Sequence, residues 1–317
     1  MNQLMADLPP DRVQEALPFE NTGVDYFGPF LVKRGRSLEK RYGVIFTCLS
    51  TRATHLEVAF SMDKDSFINA LRRLVARRGQ VKLLRSDNGT NFHGAQRELM
   101  REIENLRQTG VDFSVNQIGI TWKFNAPGAS HHGGAWERNI RTVRQILQSM
   151  LRESPHCLTD ESLQTLFCEI ESIMNQRPLT TVSNDPSDLE ALTPNHLLHM
   201  RGGQTHPFTT QSEMARSRWR KIQHMADKFW QRWKREYLAD LRSRQKWKKT
   251  STNLNKEDLV LVIENTSPRS HWIMGRVTNT LPGRDGLTRV AQIKTATGTL
   301  LRPISKLCML LPAVDER

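Results

Sequence analysis

The chain has 317 residues, of which 38% are hydrophobic and 25% are charged, and its formal net charge is +13 at pH 7. This length suffices for two domains with sizeable cores, and the composition is that of a globular protein. The sequence contains no run of eighteen apolar residues, and residues 1–7 lack the pattern of a secretory signal. We therefore expect a soluble, intracellular protein that does not enter a membrane.

The predicted elements of the first half alternate between strands and helices. Strands are indicated by β-branched and aromatic runs, and helices by apolar residues every three or four positions. After an extended leader over residues 1–19, strands are predicted at 23–28, 42–49, 54–60, 81–84 and 120–124. Helices are predicted at 63–78, 95–108, 136–151 and 159–175. This order predicts an α/β domain over residues 20–180, built as a mixed sheet with helices packed on it.

The second half changes character. Residues 181–211 are rich in Thr, Ser, Pro and Asp and are predicted to be a linker. Residues 212–250 are predicted to form a long amphipathic helix, whose apolar stripe consists of Trp219, Ile222, Ala226, Phe229, Trp233, Tyr237 and Leu241. Short strands separated by turn residues over 255–312 predict a small β-barrel.

The positive charge is concentrated in the predicted long helix. Between Met214 and Thr250 there are thirteen Lys and Arg residues against three acidic residues, which gives 13 − 3 = +10 of the total of +13. Such a surplus favours a polyanionic partner, with nucleic acid ahead of a membrane surface or a ribosome. The cations lie largely off the apolar stripe, so they form either a surface that follows phosphates or an ordinary solvated helix face.

The four cysteines and ten histidines form no metal-binding pattern. The cysteines are scattered and include no C-x-x-C pair, at Cys48, Cys157, Cys168 and Cys308. This spacing favours reduced, buried thiols over a disulfide framework or a structural zinc site.

Three acidic residues stand at positions that suit metal-dependent chemistry. Asp25 lies inside a predicted strand, where a charge is costly unless it is paired or metal-bound. Asp87 ends another strand before a turn, and Glu137 lies in the first turn of a helix. Three convergent carboxylates can bind two divalent cations, which together promote in-line displacement at phosphorus. Each residue alone also has an ordinary explanation, as part of an Asp-Asn-Gly turn or as a partner of a helix dipole.

Taken together, the three acidic segments resemble the motifs of retroelement integrases. They are TGVDYFGP at 22–29, RSDNGTNF at 85–92 and HHGGAWER at 131–138, and they are most similar to those of Pao/BEL-type long-terminal-repeat retrotransposons, within the retroviral integrase superfamily. The separation of 137 − 87 = 50 positions between the second and third acids suits that group. Residues 258–310 also resemble the C-terminal domain of the group.

The resemblance implies a ribonuclease H-like catalytic core followed by a small SH3-like β-barrel. It implies a polynucleotidyl transferase that processes DNA 3′ ends and transfers strands into target DNA with two Mg²⁺ or Mn²⁺ ions. Asp25 and Asp87 would share one ion, and Asp25 and Glu137 the other. The implied partners are double-stranded DNA and further copies of the chain, and the implied location is the nucleus.

Several further residues are predicted to contact DNA. Near the acids they are Asn88, Arg138, Arg141 and Arg144, and in the long helix they are Arg232, Lys234 and Arg235. The arginines following Glu137 could equally be ordinary surface residues. Weaker candidates for a role in the chemistry are His131 and His132, in the loop before Glu137, and Glu57, as an additional ligand.

Three hypotheses remain open at this point. The first is an integrase, the second a catalytically silent or domesticated DNA-binding remnant, and the third an RNA-cleaving nuclease of the same fold. The acidic triad favours catalysis. The sequence starts just ahead of the core, without the His/Cys zinc module of the family, so we expect either a polyprotein fragment or a loss of that module, which favours the remnant.

Overall fold

The computed structural model describes residues 14–87, 89–108, 120–124, 136–153, 158–181, 190–199, 217–245, 254–264, 267–282 and 288–313. The chain folds as two compact units, Met1–Met174 with Arg216–Ile222, and Asn175–Ala215 with Gln223–Arg317. Each unit has its own sheet and its own helices. None of the helices in the described ranges is both long and apolar enough to cross a bilayer.

The first unit contains a five-stranded mixed sheet. Its strands are β1 (Asn21–Arg34), β2 (Ser37–Cys48), β3 (Thr54–Ala59), β4 (Leu83–Ser86) and β5 (Thr121–Phe124), in the spatial order β3-β2-β1-β4-β5. The first three strands form an antiparallel meander, whereas β4 pairs in parallel with both β1 and β5. The helices are α1 (Lys64–Arg78), α2 (Thr90–Gln108), α3 (Trp136–Glu153) and α4 (Asp160–Asn175).

Aromatic side chains fill both faces of this sheet, because successive residues of β1 point to opposite sides. On one face, Tyr26 lies near Phe67 of α1 and Phe92 of α2, with ring centroids 6.2 and 5.7 Å away. On the other face, Phe27 packs against Phe167 of α4 at 5.5 Å. The ring of Phe27 covers Gly43, where an added Cβ would lie 2.2 Å from the ring, so only glycine fits there.

The second unit begins with short elements inside the predicted linker. These are the two-residue strands β6 (Thr180–Thr181) and β7 (Ala191–Leu192), which pair with each other, and the helix α5 (Pro194–His199). The long helix α6 (Arg218–Gln245) follows and lies in this unit from Gln223 onward. The predicted boundaries at 19, 180, 211, 250 and 312 remain predictions.

The rest of the second unit is a five-stranded antiparallel sheet. Its strands are β8 (Leu259–Val262), β9 (Ile273–Pro282), β10 (Thr288–Thr295), β11 (Gly298–Pro303) and β12 (Leu307–Leu311), in the order β11-β10-β9-β8-β12. A 3₁₀ turn at Ile304–Lys306 joins the last two strands. Leu259 and Leu261 of β8 pack with Leu238 and Leu241 of α6, whereas Val260 and Val262 belong to a second cluster. Because β8 is buried on both faces, its sequence is continuously apolar.

The predicted fold class is confirmed: a mixed sheet with flanking helices, a long helix, and a small antiparallel β-domain. Several predicted limits were wrong. Helix α2 begins at Thr90 rather than at 95, because the carbonyl of Gly89 accepts hydrogen bonds from the N–H groups of Phe92 and His93. Strand β1 continues to Arg34, because pairing with β2 resumes after a register shift between Phe27 and Phe30.

Candidate active site

Asp25 lies in β1 on the face of the sheet that α3 and α4 cover. Its side chain is 29% exposed, and Oδ1 accepts a hydrogen bond of 2.7 Å from the N–H of Tyr26. On the other side, a guanidinium nitrogen of Arg144 lies 3.9 Å from Oδ2. A partly buried carboxylate thus remains accessible within β1, between the buried residues Val24 and Tyr26.

Asp87 follows directly after the last residue of β4 and is exposed. Its Oδ1 accepts a hydrogen bond of 3.0 Å from the N–H of Gly89, which holds the turn closed. Its backbone carbonyl accepts a hydrogen bond from Ser86 Oγ at 2.9 Å, and that hydroxyl accepts one from the indole nitrogen of Trp122 at 2.8 Å. These hydrogen bonds therefore hold the Asp87 carboxylate in place at the end of β4.

The sheet register pairs the two chain segments that lead to Asp25 and Asp87. In the parallel pairing of β1 with β4, Asn21 lies opposite Leu83 and Gly23 opposite Arg85. Asp25 and Asp87 each lie two residues beyond the last of these pairs. Neighbouring strands are about 4.8 Å apart, so two carboxylates on adjacent strands can bind one cation.

Helix α3 supplies the third predicted ligand. Glu137 is its second residue, and its side chain lies outside the described part of the structure. Arg144 lies seven residues further along α3, two turns on the same helical face. It donates a hydrogen bond of 2.7 Å to the carbonyl oxygen of Tyr26. Arg144 therefore contacts β1 next to Asp25.

The other residues predicted near the acids are only partly described. Arg141 is exposed, and no structural feature excludes it from a DNA contact. The remainder lie outside the described residues or side chains, and they are Asn88, His131, His132 and Arg138.

The cations of helix α6 divide into two kinds. Arg235 is exposed and Arg232 is half-buried, which is compatible with the predicted DNA contact. Lys234 is only 8% exposed, and its ammonium donates hydrogen bonds to the carbonyl of Glu264 at 2.6 Å and to Ser267 Oγ at 2.5 Å. Burial lowers the pKa of Lys234. The DNA-contact role predicted for Lys234 is thus corrected, because its ammonium joins α6 to the segment after β8.

Glu57 belongs to a charge cluster that local sequence patterns did not reveal. His55 lies between Glu57 and Glu171 of α4, 3.1 Å from each carboxylate. Glu57 also accepts hydrogen bonds from Arg73 at 2.6 Å and from Arg77 at 3.0 Å. Burial acts to raise the pKa of Glu57, but the hydrogen bonds outweigh it and the pKa is lowered. The structure accounts for Glu57 as an internal partner, not as a metal ligand.

The carboxylates of Asp25, within β1, and Asp87, after β4, suit a hard divalent cation. Asp25 and Asp87 offer carboxylate oxygens, the ligands that Mg²⁺ prefers in proteins. Among the side chains that the structure describes, no three His, Cys, Asp or Glu residues form a complete metal-binding group. The two aspartates are therefore suitable ligands for a pair of metal ions, but a further ligand is needed. Glu137 on α3 is the candidate.

Comparisons with known proteins were made for sequence and for structure. A family model matches residues 217–310 and is described as a family of unknown function, DUF5641. No curated protein matches the sequence.

The chain is similar in structure to retroviral integrases. One is in the simian T-cell lymphotropic virus intasome in complex with the PP2A regulatory subunit B56 gamma, with a TM-score of 0.40, 13% identity, and coverage of 100% of this chain and 86% of that chain. Another is the HTLV-2 integrase catalytic core domain with magnesium in its trimeric form, with a TM-score of 0.36, 15% identity, and coverage of 59% and 100%. Its dimeric form has a TM-score of 0.36 and 16% identity, with coverage of 58% of this chain and 98% of that chain.

Proposed function

We propose that this chain is a metal-dependent polynucleotidyl transferase of the integrase type, which processes DNA 3′ ends and joins them to target DNA. The observation that supports the proposal is the parallel pairing of β1 with β4, which runs to Gly23 and Arg85, two residues before Asp25 and Asp87. The acidic motifs around both residues and around Glu137 support the same reaction.

In this proposal Asp25, Asp87 and Glu137 bind two Mg²⁺ or Mn²⁺ ions. When bound, such ions activate a hydroxyl nucleophile and stabilise the leaving 3′ oxygen. The protein's own part is positioning. The Asp87 turn is fixed by Gly89 and Ser86, and the Asp25 carboxylate is held between the N–H of Tyr26 and Arg144. Fixed carboxylates lose little freedom when they bind cations.

The finer parts of the proposal concern origin, partners and location. The motifs support a Pao/BEL-type retrotransposon as the source. The net charge of +13 supports double-stranded DNA as partner, with Arg141, Arg144, Arg232 and Arg235 among its contacts. A homo-oligomer on DNA and a nuclear location complete the proposal, because joining two ends to chromosomal DNA requires both.

The test is a strand-transfer assay with a labelled DNA duplex and Mg²⁺. Asp25→Asn, Asp87→Asn and Glu137→Gln should each abolish joining while duplex affinity and the circular dichroism spectrum stay unchanged. Asp65→Asn, at an exposed position in α1, is the matched control and should join normally. Joining that persists in one of the three variants would remove that residue from the site.

The alternative function is a DNA-binding remnant that no longer joins strands. A wild-type chain that binds the duplex but leaves it unchanged with either Mg²⁺ or Mn²⁺ would favour this alternative and contradict the proposed reaction.

A further inference from the structure

The first turn of α6 presents four consecutive exposed residues, Arg218, Trp219, Arg220 and Lys221, which we term the RWRK patch. The apolar helix stripe predicted from the sequence included Trp219, and that assignment was wrong. The buried stripe starts only at Ile222, which is 6% exposed, whereas Trp219 is 53% exposed. The patch needs an explanation other than packing.

The charges of the RWRK patch are placed against the helix dipole. The N-terminal end of a helix carries partial positive charge and favours acidic residues. The first turn of α6 has no acidic residue but contains three cations. Within the part of the chain that the structure describes, none of the three forms an ion pair with an acidic side chain. Among the described residues, the patch therefore has three positive charges that an external anion can neutralise.

The indole of Trp219 adds an aromatic surface to this charge. Three other tryptophans in the described ranges, Trp122, Trp230 and Trp233, are no more than 8% exposed. The guanidinium of Arg220 lies 5.4 Å from the ring centroid of Trp219, so cation and ring form one continuous surface. A flat apolar partner that covers this ring would remove apolar surface from water, which is favourable.

A second exposed aromatic residue shows what is particular to the patch. Phe60 is 57% exposed and has the guanidinium of Arg41 4.4 Å from its ring centroid. Arg41, however, is already paired with Asp160 and Glu39, at 2.6 and 2.8 Å. The Phe60 pair thus offers no net charge to a ligand, whereas the Trp219 pair does.

We propose that the RWRK patch binds single-stranded nucleic acid, with an unpaired base stacked on Trp219 and adjacent phosphates neutralised by Arg218, Arg220 and Lys221. A polyanion with flat apolar faces is the ligand that satisfies both features at once. Bases in a closed duplex have no free face, so the patch selects unpaired strands. This activity lies beyond the proposed joining reaction and requires neither metal nor the acidic residues.

The experiment measures fluorescence anisotropy of the full chain with labelled dT20 in EDTA, and with a duplex of the same length closed by hairpins at both ends. Trp219→Ala should weaken dT20 binding by about 5- to 150-fold, the range for loss of one base stack. Trp219→Phe should retain most of the affinity. Both variants should bind the closed duplex as the wild type does, and Phe60→Ala, the matched control, should bind both DNAs normally.

Charge is tested separately from stacking. Neutralising Arg218, Arg220 and Lys221 together to Gln should reduce the slope of log affinity against log salt for dT20 by about 2, since each phosphate contact on a single strand contributes about 0.7. Unchanged dT20 affinity in Trp219→Ala, or an equal loss for dT20 and the closed duplex, would overturn the proposal. Because the assay contains EDTA, its result is independent of whether the chain joins DNA.

Discussion

The free edge of β3 is closed by side chains of two helices, and this closure can be broken by one substitution. The N–H of Leu56 donates to Glu171 Oε2 at 2.9 Å, and the carbonyl of Val58 accepts from Arg73 at 2.7 Å. Both backbone groups point away from β2, on the side where another strand could add. Glu171→Ala removes the cap on Leu56 and one of the two carboxylates around His55, which is 2% exposed.

The magnitude follows from what the substitution leaves unpaired. A buried N–H without an acceptor costs about 1–3 kcal/mol. Removal of one member of a buried ion pair costs about 3–5 kcal/mol, although His55 can limit this by losing its proton. The two losses share Glu171 and are not additive, so we expect a total of about 3 kcal/mol. Glu171→Gln keeps an acceptor for Leu56 and should cost about half as much.

Hydrogen exchange at the Leu56 amide is the most direct assay, because a chain of two units need not unfold in one transition. Glu171→Ala should lower the free energy of opening at this amide by the amount above. Glu161→Ala, at an exposed position on the same helix, is the control and should change it by no more than about 1 kcal/mol. Unchanged protection of Leu56 in Glu171→Ala would refute the role of Glu171 at this edge.

Two further predictions concern pH and salt. Burial acts to lower the pKa of His55, but hydrogen bonds to Glu171 and Glu57 outweigh it and raise the pKa. The stabilisation of the fold by His55 is therefore complete below the unfolded pKa of about 6.5, and it is lost as pH rises through the folded pKa. Both glutamates have lowered pKa values and stabilise above their unfolded value of about 4.3, an effect lost as pH falls through the folded values. Protection of Leu56 should therefore be greatest between about pH 4.5 and 6.5, and His55→Gln should remove the decline above that window; a flat wild-type profile would contradict this. For duplex DNA, neutralising Arg232 and Arg235 to Gln should reduce the slope of log affinity against log salt by about 1.8. Lys234→Met should leave this slope unchanged, but it should lower the free energy of unfolding by about 1–3 kcal/mol. An altered slope in Lys234→Met would show that Lys234 contacts DNA and would contradict its assignment as an internal partner.

Local patterns in the sequence were sufficient for the type of most elements. Alternation and helical periodicity depend on residues close together in the chain, so α1 and α4 were predicted to within one residue at each end. The proposed proximity of Asp25 and Asp87 has a different origin. It depends on parallel pairing of β1 with β4, strands that are separated by β2, β3 and α1. The family motifs and the positions of the acids in predicted elements indicated that these acids meet, and the pairing of the strands just before them is compatible with that prediction.

The wrong predictions of burial in α6 arose because helical periodicity shows which residues share a face of the helix, but not what each turn packs against. Trp219 and Ile222 fall on one stripe, yet the first is exposed and the second buried. Lys234 follows the buried Trp233, and its long side chain reaches acceptors after β8 that are 30 and 33 residues away in sequence. No window of helical length contains such partners, so counting cations on a helix face overestimates the charge available to DNA.

Arg144 shows how one side chain can serve both the fold and the proposed site. Its bond to the carbonyl of Tyr26 holds α3 against β1, and its distance of 3.9 Å to Asp25 is longer than a hydrogen-bonded ion pair. With the side chain 43% exposed, that ion pair is weak. A guanidinium has five N–H donors, and one bond to Tyr26 is enough to orient it. A cation bound by Asp25 would therefore break only a weak ion pair, at little cost in free energy. In the proposed function, Arg144 contacts DNA while it stays bonded to the carbonyl of Tyr26.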